Sequence, residues 1–194
     1  SCAAAWSLWA ALAPVAVLTA LWFTFGDIDR DYRYALAAIV LAGILVAGGE
    51  MIARRETPAQ IGGWAVSFAL GGAAAAVVLL VHAAFGTLAT TILCGALALV
   101  PAGATRLRSW PVLGWLSVAA VAVTVARIVP DPTIVGAAFL GTTPVFNALL
   151  AGYGIPALAF IASAWQLGRT TGGVPRLVME TAAALFALLT VAML

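Results

Sequence analysis

Apolar runs of about twenty residues, repeated along the whole chain and parted by short charged breaks, constrain this sequence more than any other feature. A helix needs about twenty mostly apolar residues to cross the hydrocarbon core of a bilayer. Seven runs approach that length, at 3–25, 33–53, 61–84, 87–105, 111–129, 144–167 and 177–194. Strands of a membrane barrel would alternate polar and apolar over about ten residues, and these runs do not alternate. The expected fold is all-α and integral to a membrane, a polytopic bundle of about seven transmembrane helices.

Composition closes the soluble alternative. Only 8% of the 194 residues are charged and 64% are hydrophobic, whereas a soluble domain carries roughly 25% charged residues. The excess apolar surface must face lipid, so membrane lipids are the first expected partner. No Gly/Ser linker or low-complexity tail divides the chain, which is read as one transmembrane segment over 1–194. It opens Ser1-Cys2-Ala3 and ends at Leu194 inside an apolar run, with no basic n-region and cleavage site. A segment of a longer membrane protein is expected, with further transmembrane helices of the same or another protein as neighbours.

The breaks carry the charges. Gly26-Asp27-Ile28-Asp29-Arg30-Asp31 follows the first run, Arg54-Arg55-Glu56-Thr57-Pro58 the second, and Arg106-Leu107-Arg108-Ser109-Trp110-Pro111 the fourth. Gly168-Arg169-Thr170-Thr171-Gly172-Gly173 follows the sixth, and the uncharged Phe85-Gly86-Thr87 is expected to turn between the third and fourth. All nine basic residues are arginine. Six of them (Arg54, Arg55, Arg106, Arg108, Arg169 and Arg176) fall in alternate loops, against Arg30, Arg33 and Arg127 on the other side. By the positive-inside rule the richer side is cytoplasmic, which puts the N-terminus of the segment inside, expected in a bacterial inner membrane. Trp6, Trp9, Trp22, Trp64, Trp110 and Trp165 fall near run ends, where indoles favour the headgroup layer. A net charge of +2 spread over loops is no nucleic-acid footprint.

Lipid gives no hydrophobic drive between helices, so small residues that let backbones approach matter. Gly63, Ser67, Gly71 and Ala75 recur every fourth position in the third run, Gly43 and Ala47 in the second, and Ala148, Gly152 and Pro156 in the sixth. Each stripe reads either as a packing seam or as the ordinary enrichment of small residues in membrane helices. Pro156 removes a backbone donor and crowds the Gly152 carbonyl, so a kink or unwinding is expected there.

Ionisable groups within a membrane are functional candidates by default. Glu50 stands four residues before Arg54 and Glu180 four after Arg176, the spacing of helical ion pairs. His82 near the end of the third run reads as a packed or interfacial residue, with a ligand role as the alternative. Asn147, Tyr153 and Gln166 share the sixth run and could bond across helices. Without lysine there is neither a retinal Schiff base nor a phosphate-loop lysine, and one histidine supplies neither paired haem ligands nor a His-Glu-x-x-His zinc site. Cys2 and Cys94 have no metal spacing and are expected as unpaired apolar fillers. No catalytic residue, metal or cofactor is assigned.

Leu140-Gly141-Thr142-Thr143-Pro144-Val145-Phe146-Asn147, followed by Gly152-Tyr153-Gly154-Ile155-Pro156-Ala157-Leu158-Ala159-Phe160, resembles the C-terminal region of bacterial predicted membrane proteins in domain-of-unknown-function family 2339. Glu180-Thr181-Ala182-Ala183-Ala184-Leu185-Phe186-Ala187-Leu188-Leu189-Thr190 is similar to that family's closing helix, and 26–56 to its charged turn and following helix. The resemblance implies a many-helix protein longer than this chain and no catalytic residues. The function expected is a non-enzymatic scaffold or accessory segment of a larger envelope protein or complex. The alternative is a transporter whose pathway is lined by the sixth run, with Glu50, Asn147 and Glu180 as its polar groups.

Overall fold

The computed structural model describes residues 2–27, 30–57, 61–130, 132 and 148–193. Among them seven helices follow in order: α1 (Cys2–Phe25), α2 (Tyr32–Arg54), α3 (Trp64–Leu97), α4 (Leu99–Ala104), α5 (Pro111–Ile128), α6 (Ala148–Thr170) and α7 (Gly173–Met193). Six are long and apolar enough to cross a membrane, α3 through its Trp64–Gly86 part. The protein is an all-helical, multi-pass membrane protein. Helices satisfy every backbone donor internally, which is why continuous apolar sequence takes this form in lipid.

The expected fourth span, 87–105, is helical over 87–104. A single turn at Ala98, whose backbone keeps helical dihedrals, separates α3 from α4. The uncharged break at Gly86 is present: its backbone leaves the helical region with φ 75° and ψ −172°, accessible to glycine alone. The chain divides at that residue into two compact units, Ser1–Gly86 and Thr87–Leu194.

Local chemistry sets the ends of the N-terminal unit's helices. Asp31 caps α2 by accepting from the Arg33 amide at 3.0 Å. The Glu56 carboxylate accepts from the amides of Gly62 at 2.9 Å and Gly63 at 2.7 Å, placing negative charge at the start of α3. Ser7 near the start of α1 donates to the Ala65 carbonyl near the start of α3, and the Asp31 amide donates to Ala83 O at 2.9 Å. These two ties make α1 and α3 parallel, with α2 antiparallel to both.

The packing seam of this unit lies beside the expected one. Gly71 has open space where a Cβ would stand, and Ala75 is exposed. The buried face of α3 is instead Val66, Ala69, Leu70, Ala73 and Ala76. Gly72 makes the close approach, since a Cβ there would lie 2.7 Å from Ala11 Cβ and 3.2 Å from Leu45 Cδ1. Ala11, Leu45 and Ala73 form the small core, with Val15 and Leu41 against it. On α2 a Cβ at the expected Gly43 would have nothing within 4 Å, whereas one at Gly49 would meet Ala69 Cβ and Leu70 Cδ2, each at 3.6 Å. In both helices the shift is about one residue or a short stretch, enough to turn a helix face away from its partner.

In the C-terminal unit α6 is the most enclosed span and packs most extensively on α7. Tyr153, Phe160, Leu167, Met179 and Phe186 fill the interface with buried side chains. α6 remains helical through Pro156, so the expected unwinding does not occur. Pro156 is buried against Gly95, where a Cβ would meet its Cβ and Cγ at 2.7 Å and its Cα at 3.1 Å. α6 ends in a glycine-capped turn: Gly172, at φ 60°, and Thr171 both donate to Leu167 O, at 2.7 and 3.0 Å. That turn lets α7 begin at Gly173, four residues before the expected start, with Pro175 tolerated in its first turn.

Candidate functional site

The polar groups of the C-terminal unit collect at one end of α6. The Arg106 Nε donates to Gln166 Oε1 at 2.7 Å, joining the segment after α4 to α6. One turn further, the hydroxyls of Thr105 and Thr170 are 2.8 Å apart. Each hydroxyl also reaches a carbonyl of its own segment, Thr105 that of Ala102 at 2.6 Å and Thr170 that of Gln166 at 3.1 Å, so either can donate in the pair. Ser117 on α5 donates to Ala98 O at 3.1 Å, satisfying a carbonyl at the interruption between α3 and α4. The layer is thus built from residues that reach backbone defects or one another, which is the cheap way to bury hydroxyls in a membrane. Ser163 Oγ, Gln166 Nε2 and Thr91 Oγ1 are buried with no hydrogen-bond partner among the described residues.

Beside this layer a groove of about 540 Å³ runs between α6 and α7. Arg169 lies 3.9 Å over the Trp165 ring, a close cation–π contact, and Arg176 Nε bonds Glu180 Oε1 at 2.7 Å. Gly168 makes the arrangement possible. A Cβ there would stand 3.2 Å from the Arg176 guanidinium carbon, so the guanidinium lies directly across the α6 backbone.

At the other end of α6, Tyr153 is fully buried and donates to Pro132 O at 2.6 Å. It stacks in tilted geometry on Phe186 at 6.1 Å, and Phe160 meets Phe186 edge-on at 5.1 Å. Gly152 and Pro156 are buried on the same helix. Tyr153 and Gln166 therefore both bond across the unit as expected, while Asn147 lies outside the described residues.

The remaining candidates are dispersed. Glu50 pairs with Arg54 at 3.2 Å and Glu180 with Arg176, both with the predicted spacing and both partly exposed. Gly63 precedes α3 and is held by Glu56, and Ser67 donates back to Gly63 O at 3.0 Å within the same turn. His82 meets Trp22 edge-on at 5.2 Å, a packed position in the N-terminal unit. Trp22 and Trp110 are buried within the protein, whereas Trp6, Trp9, Trp64 and Trp165 are exposed. Cys2 and Cys94 are free thiols.

Sequence reasoning missed Thr105, Arg106, Thr170, Glu56 and the Arg176–Gly168 approach. Of these only Glu56 left a signal, a carboxylate shortly before a helix start. Comparison with known proteins gives no match: no family model fits the chain, no curated protein aligns with it and no solved structure resembles it.

Proposed function

We propose that the chain is a non-enzymatic scaffold or accessory segment of a larger membrane protein or complex, related to the bacterial family its 140–160 stretch resembles. The observation that carries this reading is the fate of α6. Its proline is buried on Gly95 with the helix unbroken, and the Tyr153 hydroxyl, the Gln166 carbonyl and the Thr170 hydroxyl bond inside the protein. A solute pathway would instead present freed carbonyls and polar side chains to water. Exposed apolar residues such as Leu36, Ile44, Leu158 and Leu188 offer surface to lipid or to further helices. The transporter alternative draws on the unpartnered Ser163 and Gln166 atoms, one turn apart on α6.

Cysteine scanning of 149–166 separates the two readings. In a parent lacking Cys2 and Cys94, the scaffold is expected to give no water-accessible stripe along α6. A reactive stripe reaching Ser163 and protected by added solute would replace it with the transporter.

The same parent tests the orientation we propose, with the arginine-rich loops in the cytoplasm of a bacterial inner membrane. Cysteines at Arg55 and Arg108 are expected to resist an impermeant maleimide in intact cells, and one at Asp29 to react. The reverse pattern would invert the topology.

A further inference from the structure

We infer that the groove between α6 and α7 is a binding site for one anionic phospholipid, its phosphate held by Arg169 and Arg176 and an acyl chain laid along the helices below. Its polar lining is Arg169, Arg176 and Glu180, with the two arginines toward the end where α6 turns into α7, and its apolar lining further along is Ile161, Ala164 and Ala183. From Arg169 to Ile161 is eight residues, or about 12 Å down a helix axis. A headgroup at the arginines therefore leaves the first several methylenes of a chain against apolar side chains.

Charge favours an anion. Two guanidiniums face one carboxylate, and among the described residues Arg169 has no ion-pair partner, only the ring of Trp165. Arg176 gives its Nε to Glu180, which fixes the guanidinium plane and leaves its terminal nitrogens for a second acceptor. Trp165, half-exposed at the same level, suits the boundary between headgroups and chains. Gly168 lets the Arg176 guanidinium lie close over α6 beside Arg169: a Cβ there would stand 3.2 Å from it, so a bulky side chain would crowd it. A planar guanidinium pair recognises phosphate oxygens better than a point charge would. A zwitterionic lipid offers the same phosphate but adds a cation that the arginines repel. The inference holds for a scaffold and a transporter alike.

The test uses the purified chain in neutral detergent, titrated with dioleoyl phosphatidylglycerol, with dioleoyl phosphatidylcholine and with glycerol 3-phosphate. Native mass spectrometry counts bound lipid, and thermal unfolding without lipid establishes that each variant is folded. One phosphatidylglycerol is expected to bind at least about tenfold more tightly than phosphatidylcholine, less tightly as salt is raised, and glycerol 3-phosphate not at all. The double variant Arg169→Gln, Arg176→Gln is expected to lose that preference, while Arg108→Gln retains it. Should the double variant fail to fold, Gly168→Val, which displaces Arg176 alone, is expected to weaken phosphatidylglycerol selectively. Equal binding of the two lipids, retention of the preference in the folded variants, or tight binding of glycerol 3-phosphate would each overturn the site.

Discussion

Leucine in place of Gly95 or Gly72 is expected to destabilise the detergent-solubilised protein by about 1–3 kcal/mol each, the usual cost of forcing extra carbon into a packed contact. The two glycines stand where helices touch most closely. At Gly95 the obstacle is Pro156, whose ring and Cα would lie 2.7 to 3.1 Å from a new Cβ. A proline ring inside a helix has no rotamer with which to withdraw, so α6 itself must shift. At Gly72 the obstacle is Ala11, including its Cα at 3.2 Å, and α1 would have to move. The controls are Gly103→Leu and Gly71→Leu, where nothing lies within 4 Å. Replacing glycine in an open helical position raises helix propensity, so these two are expected to unfold at or above the temperature of the unaltered protein. A common shift for Gly71→Leu and Gly72→Leu would remove the distinction between neighbouring faces of α3.

That distinction marks the limit of what the sequence discloses. Spans are legible because lipid demands a length and a continuous apolar composition, both of which are local properties. The pairs Glu50–Arg54 and Arg176–Glu180 are legible for the same reason, since four residues on one helix are neighbours whatever else the chain does. A packing face is different. In a helix apolar on every side, small residues at 63, 67, 71 and 75 and at 69, 72, 73 and 76 are equally good seams until the partner is known. Ala11 and Leu45 decide between them, and both are distant in sequence.

The candidate site was readable in part. Tyr153 and Gln166 stood out as polar groups in an apolar run, but their partners, Pro132 and Arg106, lie 21 and 60 residues away. Arg169 and Arg176 were visible as loop charges that set orientation. Their convergence on one groove depends on the glycine-capped turn at 172, which folds α7 back on α6, and on the absence of a side chain at Gly168. What hydropathy did not show in the fourth run is the turn at Ala98, since apolar residues are counted without regard to how the backbone carrying them is hydrogen-bonded.

Phe186→Ala is expected to cost about 3 kcal/mol, toward the low end for removing a buried phenylalanine from a protein core. In water much of that cost would be transfer of the ring to solvent. In a membrane the separated helices are solvated by lipid, so the transfer part shrinks and the cavity and lost dispersion remain. Both are large here because the Phe186 ring, 1% exposed, is enclosed by Phe160 edge-on at 5.1 Å and Tyr153 at 6.1 Å. Leu188→Ala two residues on is the comparison. That side chain is 70% exposed, so its loss exchanges protein–lipid contact for lipid–lipid contact and is expected to leave the unfolding midpoint nearly unchanged. Combining Phe186→Ala with Phe160→Ala should cost less than the sum of the two by about 0.5–1.5 kcal/mol, the coupling of an edge-to-face pair. Strict additivity would mean that the two rings stabilise α6 and α7 separately, and equal costs for Phe186 and Leu188 would mean that the aromatic face is turned to lipid.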